Sequence, residues 1–175
     1  SDKYTEYEEL KMYGLSTHTR GFIKIQDGCE NFCAYCAIPY ARGPIKSRKP
    51  SDVIDEIKTL VSKGVKEIIL SGINTGTYGQ DLKDEVTLAS LLDDILSSVN
   101  GCFRLRLSSI ELMEITDELL DVYEKYPTKI ARHFHIPLQA GCDNTLKRMK
   151  RKYLTSDYER VINKIRNRFP GIAIT

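Results

Sequence analysis

The sequence has no apolar run approaching ~18 residues, which excludes a membrane-spanning helix. Its opening residues, SDKYTEYEEL, lack the basic-then-apolar order of a secretory leader. Neither sign of charge is in real excess. The 26 Lys and Arg stand against 24 Asp and Glu, so any preference for a charged partner must come from local clusters. Internal repeats and low-complexity segments are absent. Cysteine is scarce and odd in number, five in all, which fits poorly with a closed disulfide set. These absences lead us to expect a cytoplasmic chain, where thiols stay reduced and clustered cysteines bind metal. Its 175 residues suffice for one domain with a real core.

Against that scarcity, three of the five cysteines fall together in GCENFCAYCAIPYARG. Cys29, Cys33 and Cys36 form C-x3-C-x2-C, and no fourth cysteine follows nearby. A structural zinc site wants four ligands, and so does a ferredoxin-type iron–sulfur cluster. Three ligands leave one metal position open for chemistry. The competing reading is a zinc site completed by Cys102, Cys142, His18, His133 or His135. None of these stands at a usual zinc spacing.

Strands and helices alternate along the chain. GFIKIQ (residues 21–26), KEIIL (66–70), FRLRLSS (103–109), RHFHIPL (132–138) and GIAIT (171–175) read as strands. Between them, SDVIDEIKTLVSKG carries Val53, Ile54, Ile57, Leu60 and Val61 on one helical face, with Ser51 as N-cap and Gly64 as stop. LASLLDDILSSV is a second helix. Residues 116–126 form a third, capped by Thr116; NTLKRMK is short, and 156–169 is longer. Most strands are too apolar to leave one side wet, so the fold class is α/β with a mainly parallel sheet. Either a barrel-like or an open doubly wound sheet would gather functional residues after the carboxyl ends of its strands. The three cysteines lie just after the first strand.

This loop, with the βα units behind it, resembles the radical S-adenosylmethionine (SAM) superfamily. The resemblance implies a partial (β/α) barrel of about five strands in this chain. It implies that Cys29, Cys33 and Cys36 hold a [4Fe-4S] cluster whose fourth iron chelates SAM, and that reductive cleavage of SAM releases a 5′-deoxyadenosyl radical. KIQDGCENFCAYCAIPYARGPIKSR, LSGINTGTYG and HIPLQAGCDNTLKRMKRKY are further similar to the methylthiotransferases. RGFIKIQDGC, SGINTGTYG and RLSSIE look most like the branch that adds a methylthio group to C2 of N6-threonylcarbamoyladenosine beside the tRNA anticodon. The alternatives are the branches acting on isopentenyladenosine in tRNA or on a ribosomal-protein aspartate. An alternative of another class is a zinc-stabilised RNA-binding module.

The resemblance also implies a SAM pocket. Tyr35 would pack near the adenine, offering a rigid π-face. Gly72 and Asn74, in SGIN, would meet the amino group, with Gly72 permitting close backbone approach. Ser109 and Glu111, with Ser108, end the third strand and would face ribose or substrate. Gln139 leaves the fourth strand after Pro137, in the stretch that also holds His135 and Gly141. Arg151, in MKRKY, would bind the SAM carboxylate, which a guanidinium fork matches. Cys142 is not needed as a ligand, and Cys102 reads as a buried small hydrophobe. Two basic stretches are candidates for RNA contact: residues 42–49, with Arg42, Lys46, Arg48 and Lys49, and residues 147–152. Partners implied are tRNA and an electron donor of the flavodoxin kind.

Residues 1–19 read as a linker or extension from an amino-terminal domain, and 20–175 as the radical SAM core, stopping before its last strand. Relatives carry a second [4Fe-4S] cluster in that amino-terminal domain and a small RNA-binding β-domain after the core. The expectation is that these 175 residues alone bind one cluster but do not complete methylthiolation.

Overall fold

A computed structural model describes residues 19–175, so the expected linker lies almost wholly outside the described residues. Six strands are present among them: β1 (Arg20–Asp27), β2 (Lys46–Ser47), β3 (Glu67–Gly72), β4 (Arg104–Leu107), β5 (His133–Phe134) and β6 (Ala173–Ile174). The helices are α1 (Ile38–Arg42), α2 (Pro50–Ser62), α3 (Leu88–Ser98), α4 (Asp117–Lys125), α5 (Asp143–Arg148) and α6 (Thr155–Arg168). β1, β3 and β4 run parallel, and β2 closes the edge beside β1 in the antiparallel sense. β5 and β6 form a second parallel pair. Isolated parallel bridges, Leu105 to Ile130 and Ser109 to His135, join that pair to β4. The result is one curled, mostly parallel sheet.

Alternation decides which way the curl faces. On β1, Ile23 and Ile25 are buried while Phe22 is exposed. On β4, Leu105 and Leu107 are buried and Arg106, between them, is only partly covered. On β5, Phe134 is buried and stacks on Tyr123 of α4 at 4.5 Å, while His133 and His135 flank it on the other face. Side chains two apart share a face of a strand, so the helices cover one apolar face and the inner face is polar. The expectation of strands buried on both sides therefore holds for β3, where Ile68, Ile69 and Leu70 are all buried, but not for β1, β4 or β5.

Helix starts follow local chemistry. Thr116 caps α4 as expected, its hydroxyl accepting from the Leu119 N–H at 3.2 Å. Thr87 and Ser90 make a reciprocal capping box on α3. Ser51 does not cap α2. That helix begins at Pro50, whose fixed φ suits the first turn, and Lys49 stands before it with no side-chain cap. Two elements escaped the sequence reading, α1 and β2. Both are too short for periodicity to announce.

Candidate metal centre

β1 delivers the chain to the cysteine loop through a turn that only glycine fits. Gly28 has φ 75°, and a Cβ there would stand 1.8 Å from the Pro44 carbonyl oxygen. The turn is fastened from below by Gln26, which is fully buried. Its Nε2 donates to the carbonyls of Asp27 and Gly28, each at 2.8 Å, and its Oε1 accepts from the Asn74 N–H at 2.8 Å. One side chain thus ties the cysteine loop to the turn after β3. Asp27 adds a second tie, accepting from the Gly28 N–H at 2.8 Å and from Lys24 Nζ at 2.7 Å. Sequence reasoning missed both residues. The available signal was a polar pair ending the strand just before the cysteines.

Cys29, Cys33 and Cys36 are all half-buried. The Cys29 N–H donates to Gly43 at 3.2 Å and the Cys36 N–H to Cys33 at 3.0 Å, while Ala34 N–H reaches across to Met149 at 3.0 Å. Burial pushes the Cys29 thiol up, and the neighbouring Cys33, Cys36 and Glu111 add like-charge repulsion. Cys29 thus feels both of its companion cysteines and Glu111, which places the three sulfurs and one carboxyl on the same rim. A single zinc would gather its thiolates to ~3.8 Å apart, given Zn–S bonds of about 2.3 Å. Among the described residues no group of three His, Cys, Asp or Glu side chains could hold one ion in that way. In a multi-iron cluster each of the three thiols would bind a different iron.

Arg151 is the hub beside them. One guanidinium nitrogen, Nη1, donates to Cys33 Sγ at 3.3 Å and lies 3.5 Å from the Tyr35 hydroxyl. The other, Nη2, donates to Glu111. Tyr35 in turn donates to Gln139 Oε1 at 3.0 Å. Burial opposes the arginine's charge, but Glu111, Tyr153 and Cys33 outweigh it and hold the guanidinium firmly protonated. Tyr153 stacks under it, 5.1 Å from ring centroid to guanidinium carbon, and its hydroxyl donates to the Pro137 and Leu138 carbonyls. That contact pins the segment carrying Gln139, whose own φ of 66° marks a constrained bend. A pocket opens here, lined by Asn31, Cys33, Glu111, Glu114, Arg151 and Lys152 among others.

Cys33, Tyr35, Glu111, Gln139 and Arg151 therefore converge, from positions 118 residues apart at the extreme. Gly72, Asn74 and Ser109 do not join that hydrogen-bonded group. Gly72 lets Gln26 pass close, since a Cβ would meet its Oε1 at 2.8 Å. Asn74 is buried, with its Oδ1 lacking a hydrogen-bond partner. Ser109 is exposed and bridges to His135 through its backbone. Of the proposed RNA contacts, Arg42 and Lys49 are exposed, but Lys46 and Arg48 are not. Lys46 Nζ donates to the Arg42 carbonyl at 3.0 Å, and Arg48 pairs with Glu56 at 2.6 Å with only 3% of its side chain exposed. Lys46, Ser47 and Arg48 are buried together where the chain pairs with the end of β1. Cys102 is exposed rather than buried, because it follows Gly101 at the open end before β4.

A curled parallel sheet, with three thiols on the loop after its first strand and polar groups gathered at the carboxyl ends, defines a radical SAM core. The radical SAM superfamily matches residues 23–175, and the chain belongs to it. Its curated relatives narrow the resemblance. Over 169 residues it is 46% identical to the threonylcarbamoyladenosine tRNA methylthiotransferase MtaB of Bacillus subtilis (strain 168), covering 97% of this chain and 37% of that protein. Over 159 residues it is 43% identical to a tRNA-2-methylthio-N(6)-dimethylallyladenosine synthase of Thermoanaerobacter sp. (strain X514), covering 91% and 33%. The chain thus spans about a third of the length of these relatives. Among solved structures, the radical SAM methyltransferase TsrM of Kitasatospora setae, with tryptophan and a SAM analogue bound, shares the fold at a TM-score of 0.68. That match has 18% identity and covers 89% of this chain and 29% of TsrM. No helix among the described residues is long and apolar enough to cross a membrane.

Proposed function

We propose that this chain is the radical SAM core of a tRNA methylthiotransferase, acting at C2 of N6-threonylcarbamoyladenosine beside the anticodon. The observation that carries the reading is the Arg151 hub. It places a fixed positive charge against one cluster thiol and beside Tyr35 and Glu111, at the carboxyl ends of the strands. The 46% identity to MtaB supports the substrate branch.

Cys29, Cys33 and Cys36 hold the [4Fe-4S] cluster. When bound, that cluster supplies the electron that cleaves SAM to a 5′-deoxyadenosyl radical. The protein's part is placement. Arg151 keeps the cysteine loop against the 149–153 turn and offers charge to the SAM carboxylate. Tyr35 presents its ring to the adenine, and Gln139 orients the Tyr35 hydroxyl. Glu111 balances Arg151 and is placed for ribose hydroxyls, while Gly72, Asn74 and Ser109 lie at the neighbouring strand ends. Sulfur donation belongs to a second [4Fe-4S] cluster outside these residues, with a flavodoxin-like donor supplying electrons.

Nucleoside mass spectrometry of tRNA from a strain lacking the gene tests the substrate. Loss of the methylthio form of threonylcarbamoyladenosine is expected. Loss of methylthio-isopentenyladenosine would move the chain to that branch, and unchanged tRNA would refute both. Anaerobic reconstitution tests the metal: a brown protein is expected, and a colourless one holding stoichiometric zinc would support the RNA-binding module.

A further inference from the structure

The cysteine loop carries two large aromatic side chains that the cluster site leaves unused. Phe32, just before Cys33, is 50% exposed, and Tyr40, on α1, is 82% exposed. Their rings meet edge to face, with centroids 5.8 Å apart at 76°. Such a pair leaves the outer face of one ring open to a planar ligand. Phe32 also sits at φ 48°, a left-handed conformation that bulky residues avoid. Strain of this kind persists where surrounding structure imposes it, and it gathers at functional loops.

The ground around the pair is basic. Residues 27–44 and 147–152 together carry Arg42, Lys147, Arg148, Lys150, Arg151 and Lys152 against Asp27, which lies 3.7 Å from the half-exposed Arg42, and Glu30; Arg151 is taken up by Glu111. The two segments are joined by the hydrogen bond from Ala34 N–H to the Met149 carbonyl. Lys150 and Lys152 line the same pocket as Asn31 and Cys33. Arg42 ends α1, two residues beyond Tyr40.

We propose that the Phe32–Tyr40 pair is a stacking platform for an unpaired RNA base adjacent to the reacting one, with Arg42, Lys150 and Lys152 holding the flanking phosphates. The proposal rests on the tRNA reading above. An adenine whose C2 must reach the cluster site has to leave its stack, and its neighbour then loses a stacking face. An exposed aromatic ring restores one without regard to sequence, while cations along the backbone supply affinity. An aromatic pair on the cysteine loop, with cations on its own and the adjoining segment, matches that chemistry better than it matches a protein surface, which would favour fewer charges at its centre.

The test uses the anaerobically reconstituted protein and an anticodon stem-loop RNA with 2-aminopurine beside the target adenosine. Stacking quenches the probe. Tyr40→Ala is expected to lose the quench and bind about ten-fold more weakly. Its iron content, SAM affinity and the slope of log K against log salt stay as in the parent. Tyr40→Phe retains both quench and affinity, because it keeps the π-face. Lys150→Ala and Lys152→Ala each keep the quench and lower the salt slope by about one. Equal binding and quenching by parent and Tyr40→Ala would overturn the platform while leaving the tRNA reading intact. Failure of the parent protein to bind the stem-loop would also overturn the platform, while the tRNA reading stands or falls on the nucleoside analysis above. A Tyr40→Ala variant that melts earlier yet binds RNA as the parent does would assign the pair to a protein contact and also overturn the platform.

Discussion

Arg48 and Arg151 make the same bond in two different settings. Each is buried, with 3% and 5% of its side chain exposed, and each pairs with a glutamate, Glu56 and Glu111 respectively. Each sits in a basic stretch that the sequence offers as a solvated or RNA-facing surface. The surroundings separate them. Arg48 lies beside the edge strand β2, where its backbone carbonyl also accepts from the Tyr78 hydroxyl at 2.7 Å, and its ion pair braces that edge against α2. Arg151 lies on the rim, touches the Cys33 thiol and opens on a pocket. A buried ion pair is therefore not in itself a sign of function. Its other neighbours decide what it does.

The largest effect lies on the Arg151 side and concerns its thiol neighbour. Replacing Cys33 by alanine, or Cys29 or Cys36, is expected to abolish iron binding on reconstitution, because two thiolates cannot hold three irons. Iron and sulfide analysis reads this directly. Cys102→Ala, at an exposed position far from the loop in sequence, is expected to bind iron as the parent does.

Arg48→Ala should come next, as a loss of stability. Removing one partner leaves Glu56 buried and unpaired, which costs about 3–5 kcal/mol. Denaturant midpoints measure it, and the fraction still folded should bind SAM normally. Arg151→Ala should show the reverse division: a modest midpoint shift, cluster retained, and SAM affinity down by roughly ten- to hundredfold, as for one charge-assisted pair of ~1.5–3 kcal/mol. Calorimetric titration of SAM separates the two. If Arg48→Ala lost SAM affinity and Arg151→Ala lost only stability, the contrast drawn here would be inverted.

The smallest effect concerns Glu114, whose carboxyl sits beyond Glu111 in the same pocket. Burial raises its pKa, Lys152 lowers it in part, and Glu111 raises it further. The folded state thus binds a proton more tightly than the unfolded chain does. Stability from this group falls as pH rises through the window between the ordinary glutamate value and the raised one. Glu114→Gln removes that dependence. Its melting temperature should match the parent below the window and exceed it slightly above, by an amount that scanning calorimetry across pH can follow. A higher parent melting temperature at neutral pH would show the carboxylate to be stabilising instead.

The sequence by itself determined the three-cysteine loop, the alternation of strands and helices and most of the element positions. Three thiols within eight positions on one loop are a local pattern, and so is the period of an amphipathic helix such as α2. Thr116 capped its helix because a cap acts within three residues. Tertiary structure alone decided the rest. Gln26 acts on Asn74 from 48 residues away, and Arg151 on Cys33 from 118, and neither distance leaves a periodic trace in the chain. It also chose between identical-looking cations, turning Lys46 and Arg48 inward and leaving Arg42 and Lys49 in water. That choice belongs to the edge of the sheet, where pairing with β1 buries residues 46–48 and leaves the flanking Arg42 and Lys49 exposed. Local chemistry sets the three thiols on one loop, but only the packed sheet brings distant polar groups into the low-dielectric rim where they act on one another.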